Sequence, residues 1–213
     1  MTMPRPSRWP ELVRAAGEEF REHGYDNATL ESIGARVGIL KGSVYNYVGS
    51  KEELLLAVVE QPARALLAEL DRLRADTGSS VAVRLRELIR TQVRIFADYH
   101  PAAFVYLQHV GKVRSPAFAQ FAEMDRRYIS AVESLLAEGV ANREFSFAGP
   151  PPLAARAIVG MLDWMQHWFV PQDPQADAQL ADQLFALALG GLFAAGGVHG
   201  LATGGRPTVP VRD

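Results

Sequence analysis

Between Thr29 and Val48 the chain has room for two short helices and a tight turn, and little else. Thr29 is a helix N-cap residue, its hydroxyl placed to accept from a first-turn amide. Leu30, Ile33, Ala35 and Val37 then form one apolar side, with Glu31 in the first turn where the helix dipole favours an acid. Gly38 ends this segment. A second short helix, Lys41 to Val48, follows and is ended by Gly49. The connection is Gly38-Ile39-Leu40, and a glycine-containing turn of this length between two short helices is what a helix-turn-helix requires. Ile33, Val37 and Ile39 are placed to lock the two helices together.

The rest of the chain extends an all-α reading. No stretch keeps a period of two, and no Asn-Gly or Asp-Gly hairpin lies between β-branched runs. About nine helices are predicted. The first runs from about Pro10 to His23, with Leu12, Val13, Ala16 and Phe20 at helical spacing and Gly24 as its stop. A fourth starts at Ser50, whose spacing to Glu53 is that of a capping box, and continues through Leu70 with a possible kink at Pro62. After Gly78-Ser79-Ser80 a fifth spans Val81 to about Tyr99, stopped by Pro101, and a sixth spans Ala102 to Val110. Ser115-Pro116 opens a seventh ending near Gly139. An eighth is read from Leu153 to Val170 and a ninth from about Ala176 to Ala195. The domain expectation is 1–52, 53–200 and a flexible tail 201–213.

Composition narrows the function classes. With no cysteine among 213 residues, disulfides and thiolate zinc sites are excluded and a reducing cytoplasm is expected. Met1 to Pro10 lacks the apolar run of a signal peptide, and Leu184 to Ala195 is too short to span a bilayer, so no membrane role is expected. The formal net charge is −2, and the first 60 residues carry 7 Lys and Arg against 9 Asp and Glu. Any DNA affinity must come from local placement, because a bulk positive charge is missing.

That placement is present in the second short helix. Lys41, Ser43, Tyr45, Asn46 and Tyr47 are donors for phosphates or base edges, and Gly42 allows close backbone approach. Asn46 has the geometry for bidentate pairing with adenine. Lys51 adds a cation beside a helix N-terminus, a natural phosphate seat, and Thr29 can act in the same way. Ala16, Phe20, Gly24-Tyr25, Thr29, Ile33, Gly38, Lys41-Gly42-Ser43-Val44-Tyr45 and Ser50-Lys51-Glu52-Glu53-Leu54 stand in the order and spacing of the DNA-binding domain of the TetR family, which this segment resembles from Trp9 to Leu55. The resemblance implies DNA contacts at Thr29, Lys41, Ser43, Tyr45, Tyr47 and Lys51, with Tyr45 and Lys51 on phosphate. Leu40 stands where the family usually has a Ser cap, Val48 where it has phenylalanine and Gly34 where it has alanine; each departure is expected to weaken the motif slightly.

In the family the C-terminal domain holds a ligand, and its last two long helices pair with those of a second subunit. Ala186, Gly190, Ala194 and Gly197 form a small-residue stripe, with Leu184, Phe185, Leu187, Leu189, Leu192 and Phe193 around it. A helix apolar on nearly all sides must be buried, in a dimer interface or in a monomer core. The candidate ligand-binding residues are Phe96, Tyr99, His100, Phe104, Tyr106, His109, Phe121, Met124, Met161, Trp164, Met165 and Trp168, each of which a packed core would also use. Arg86, Arg90 and Arg94 repeat along one face, as a solvated face or as a stripe for phosphate. Leu153 to Gln172 loosely resembles TetR regulators of fatty-acid and steroid-ring degradation, which sense acyl-CoA thioesters. Asp163 and His167, four apart, are a possible metal pair or simply a hydrogen-bonded pair, and no HExxH, GxSxG, P-loop or GxGxxG is present.

The resemblance therefore implies a cytoplasmic homodimeric repressor that is not an enzyme and needs no cofactor or metal. Its partners would be double-stranded operator DNA and a small apolar or acyl-CoA-type effector. The rival is a helical metal-binding or enzymatic protein with a buried apolar pocket.

Overall fold

The computed structural model describes residues 8–109, 118–147 and 149–193, and among these there is no strand. The helices are α1 (Trp9–Asn27), α2 (Leu30–Arg36), α3 (Lys41–Val44), α4 (Lys51–Ala75), α5 (Val81–Asp98), α6 (His100–His109), α7 (Ala119–Ala141), α8 (Pro151–Asp163) and α9 (Pro174–Phe193). The all-α expectation holds. The 201–213 tail, Ser115-Pro116, Ala194 and Gly197 lie outside the described residues.

Two cores share this bundle. The first gathers Leu12, Ala16 and Phe20 of α1, Leu30 and Ile33 of α2, Val44 of α3 and Leu54 to Ala63 of α4. It also takes Val105 of α6 and Phe121 of α7. The second is built on Leu85, Leu88, Ile89 and Val93 of α5, Val132 and Leu136 of α7, and Ala155 and Leu162 of α8. The far end of α4, at Leu70 and Leu73, belongs to this second core. Burying that much apolar surface is the main favourable contribution to the fold. α4 thus runs through both cores, and α6 faces both, with Val105 on one side and Ala103 on the other.

The helix ends are closed partly as the sequence pattern predicts and partly by groups it does not reveal. Thr29 and Ser32 form a reciprocal capping box, the Ser32 amide donating to Thr29 Oγ1 at 3.0 Å and the Thr29 amide to Ser32 Oγ at 3.1 Å. At α4 only half of the expected box forms: the Glu53 amide donates to Ser50 Oγ, but the Glu53 carboxylate accepts from the Gly49 amide, one residue before the cap. The α5 N-terminus is closed partly from the segment that follows α7, where the Glu144 carboxylate accepts from the Val81 and Ala82 amides at 3.1 and 3.2 Å. Glu144 reaches it because α7 ends in a reversal through Arg143 (φ 60°), with the Phe145 ring folded onto Gly139.

Several boundaries differ from expectation. Gly24 (φ 79°) breaks α1, but a further helical turn continues to Asn27. Pro101 lies in the first turn of α6 instead of merely stopping α5, a position where its missing N–H costs nothing. α7 runs past Gly139 to Ala141. The segment read as one helix to Val170 instead tightens at Trp164–His167 into a 3-10 turn. Side chains three apart eclipse in such a turn, which seats Met165 in the same core as Leu162, both fully buried.

Candidate functional site

The helix-turn-helix is held by a close crossing. A Cβ built on Gly34 would lie 2.6 Å from Val44 Cγ2 and 2.8 Å from the Ile39 carbonyl oxygen, so α2 and α3 approach as only a glycine permits. Gly34 therefore belongs to the packing of the motif and does not weaken it as expected. Gly38 turns the chain at φ 66°, and the Ile39 amide donates to the Gly34 carbonyl at 2.8 Å. Arg36 ties α2 back to α1 through Glu19 at 2.6 Å and through Glu22.

The α3 helix proper is shorter than the Lys41 to Val48 expected, and turn hydrogen bonds such as Tyr47 N–H to the Val44 carbonyl carry the segment on to Val48. Leu40 gives this helix no side-chain cap, which accounts for its weak start. Val44 and Val48 are buried, so the segment is anchored by its inner side. Gly42, Ser43, Tyr45 and Asn46 are exposed, Tyr47 is half-buried, and Thr29 is exposed at the head of α2. The Lys41 side chain lies outside the described residues. Lys51 differs from the rest. Its ammonium donates to the carbonyls of Tyr25, Asp26 and Ala28 at 2.6, 3.2 and 2.9 Å and sits 4.4 Å from the Tyr25 ring centroid. All three of its protons are engaged in joining the end of α1 to the start of α4.

The second candidate site is a cavity of about 180 Å³ between α4, α5, α6, α7 and α8. Pro62, Ala63 and Leu66 form one wall and Ile95 and Phe96 another, while Leu107 and Val159 close it. Gln92, Tyr106, Asp125, Tyr128 and Asp163 supply the polar atoms. Tyr106 donates to Asp125 Oδ1 at 2.6 Å. Gln92 Oε1 and the Tyr128 hydroxyl are buried without a hydrogen-bond partner. Burial raises the Asp163 carboxyl to about 6, helped by the nearby Asp125 charge. Burial also raises Asp125 against the opposing Tyr106 bond and Arg126 charge, and it holds both phenols protonated.

Comparison with known proteins decides what this pairing of head and cavity is. Residues 12–58 match the family described as bacterial regulatory proteins, tetR family, and residues 78–192 match the tetracyclin repressor-like C-terminal domain. The chain belongs to the TetR family. As a TetR protein it is a ligand-responsive, DNA-binding transcriptional regulator. It is similar to the HTH-type transcriptional repressor KstR2 of Mycolicibacterium smegmatis, 25% identical over 187 residues, which is 87% of this chain and 91% of that one. The solved structure of ketosteroid transcriptional regulator KstR2 of Mycobacterium tuberculosis has a TM-score of 0.82 at 24% identity, covering 89% of this chain and 97% of that one. AibR, solved in complex with isovaleryl coenzyme A and operator DNA, shares the fold with a TM-score of 0.73 at 19% identity, over 86% of this chain and 98% of that one.

Within this TetR fold the expected ligand residues scatter. Phe96 and Tyr106 line the cavity. Tyr99 instead borders a cleft of about 550 Å³ between α1, α4 and the start of α6. His100 is half-buried, and burial together with the Arg21 charge lowers its pKa. Phe104, Phe121 and Met124 pack with the N-terminal core, and Met161 and Met165 with the C-terminal one. Trp164 and Trp168 are 61% and 47% exposed. The His109 side chain is outside the described residues. Tyr128 stands among the aromatics of the middle helices, while Gln92 and Asp125 carry no motif that marks them as ligand contacts. Of these two only Gln92 leaves a signal, a polar residue interrupting the apolar face Leu85, Leu88, Ile89, Phe96.

The arginine stripe remains largely solvated, Arg94 being exposed, but two of its members are already paired. Arg86 and Arg90 both grip Asp182 of α9, with Nε atoms 2.9 Å from Oδ1, and Arg94 donates to Thr91 at 2.9 Å. Asp163 and His167 are separated by the change into the 3-10 turn, Asp163 facing the cavity and His167 exposed with its ring centroid 4.0 Å from that of Trp164. Among the described residues no three His, Cys, Asp or Glu side chains gather as a metal site. Among them, too, no helix is long and apolar enough to cross a membrane.

Proposed function

We propose that the protein is a repressor that works as a homodimer, each subunit laying residues 41–47 in a major groove of operator DNA and leaving it when a small, largely apolar effector fills the cavity. The observation that carries the DNA half is the two-sided reading segment: Val44 and Val48 hold it from within while Ser43, Tyr45 and Asn46 stand exposed together. A groove admits an α-helix whose polar side faces outward in this way. Thr29, Tyr45, Tyr47 and Lys41 contact phosphate, Gly42 lets the backbone come close, and Asn46 reads a base. Lys51 acts as a positioning residue that fixes the angle between α1 and α4. The protein acts by binding and not by catalysis, in the cytoplasm.

The dimer forms through α8 and α9. Leu153, Trp164, Trp168, Val170 and Leu187 are exposed in the single chain, and the added Cβ atoms of Gly160 and Gly190 would meet nothing within 4 Å. Exposed large apolar side chains on and between these helices call for a covering partner, and a two-fold copy is the commonest one. The effector's signal reaches the head through two helices. α4 contributes Pro62, Ala63 and Leu66 to the cavity and Leu54, Leu55 and Val58 to the head. α6 contributes Tyr106 to the cavity wall and packs on α1, where a Cβ on Gly17 would stand 3.5 Å from Pro101. Effector and DNA must then weaken each other's binding equally.

Fluorescence anisotropy on DNA upstream of the protein's own coding region tests this, against scrambled DNA and with a panel of effectors that includes acyl-CoAs. Selective, salt-dependent binding is expected. Tyr45→Ala weakens it on every sequence, and Asn46→Ala relaxes sequence preference by about 1–3 kcal/mol at one base pair. Full affinity and selectivity in both variants would overturn the docking.

A further inference from the structure

We propose that the C-terminal cavity recognises a cation: an apolar molecule ending in a protonated amine, held by Asp125 and Asp163 with Tyr106 and Tyr128 around it. The proposal rests on reading this cavity as the effector site, and it adds the chemistry of the effector's polar end. Two carboxylates line a mostly apolar cavity whose other polar side chains, Gln92, Tyr106 and Tyr128, are neutral, and among the described residues none of the lining side chains is Lys, Arg or His. Asp163 is half-buried and Asp125 exposed; with no cation among the lining side chains, a ligand ammonium supplies their counter-charge within the cavity.

The second observation is independent of the acids. Gln92 and Tyr128 are 6% and 5% exposed, both line the cavity, and Gln92 Oε1 and the Tyr128 hydroxyl have no partner. Unpartnered polar atoms on buried side chains that line a cavity mark groups that a ligand can satisfy once it enters and they turn toward it. The Gln92 oxygen and the two carboxylates can only accept from a ligand while ionised, and the Tyr128 hydroxyl can also accept. An ammonium with its three protons matches that set, and the aromatic rings of Tyr106, Tyr128 and Phe96 among the lining residues suit a cation as well. A carboxylate or phosphate would meet repulsion from both acids. The basic groups that an anion would use are already engaged, Arg86 and Arg90 both being bound to Asp182.

The test is calorimetric titration of the full-length protein at pH 7.5, without DNA, using three probes of one size: n-hexylamine, 1-hexanol and hexanoate. Hexylamine is expected to bind about tenfold tighter than hexanol, the margin of a charge-assisted hydrogen bond over a neutral one, and hexanoate not measurably. The Asp125→Asn/Asp163→Asn variant keeps the cavity's shape and loses its charge. It is expected to bind hexylamine and hexanol alike, with a circular dichroism melt confirming that it is folded. Gln92→Leu, which leaves both acids in place, is expected to weaken hexylamine by a smaller factor. Hexanoate binding as tightly as hexylamine, an unchanged amine preference in the double variant, or no binding of any probe would each overturn the proposal. Operator binding measured separately on the wild-type protein keeps the two readings apart. Selective DNA binding with no amine recognition would remove the cation and leave the regulator.

Discussion

The head and the cavity are opposite solutions to packing. At the crossing of α2 and α3 there is no room for one more methyl group, and the polar atoms around it are paired: Thr29 with Ser32, Arg36 with Glu19, Lys51 with three carbonyls. In the cavity, space is left open and two buried polar atoms have no partner. A reading head must present fixed groups to a fixed lattice of phosphates and bases, so every degree of freedom there costs affinity. An effector site must remain incomplete until the ligand arrives, so part of its stability is deferred. The same kind of residue therefore has opposite consequences in the two places.

Substitutions can break or sharpen this contrast. The largest effect is expected from Gly34→Ala, which forces a methyl against the backbone oxygen of Ile39 and should destabilise the protein by about 1–3 kcal/mol. Chemical denaturation together with operator titration checks it; unchanged stability and affinity would mean that the crossing has slack. Asp163→Asn should act in the opposite direction. The folded carboxyl titrates at about 6, above its unfolded value, so the unfolded chain ionises first and the wild type loses stability as pH rises from about 4 to 6. The variant lacks this loss. It should match the wild type below pH 4 and exceed it by on the order of 2 kcal/mol above pH 6, as followed by urea unfolding across that range.

Tyr128→Phe removes a buried hydroxyl that has no partner, and it should raise stability by about 1 kcal/mol while weakening whatever fills the cavity. A destabilised Phe variant would show that the hydroxyl is satisfied within the protein. The smallest effect is expected from Leu40→Ser. It supplies α3 with the missing N-cap and should add about 0.5–1 kcal/mol, read as a higher melting temperature.

These contrasts also explain what could be read without coordinates. The head is local: its two short helices, the Gly38 turn and the Thr29 cap all fall within twenty residues, so spacing alone locates them. Even there the pattern misreads Gly34, whose value lies in its distance to Val44 and Ile39, which spacing does not measure. Lys51 has a phosphate-ready spacing, yet three carbonyls from the end of α1 take its protons. The cavity is non-local, made by five helices, and aromatic content alone does not separate Phe96, which lines it, from Phe121, which fills the neighbouring core.

The sequence by itself determined the helical class, the position of the reading head and the family to which the chain belongs, because helix periods, caps and turn glycines act over a few residues. Tertiary structure alone decided that Arg86 and Arg90 staple α5 to α9 through Asp182, and that Glu144 caps a helix more than sixty positions away. It also decided that Asp125 and Asp163 share one cavity with two unpartnered polar groups. Each of those facts depends on which side of a helix meets which neighbour. That is set by the packing of whole helices against one another, a property that no short stretch of the chain contains.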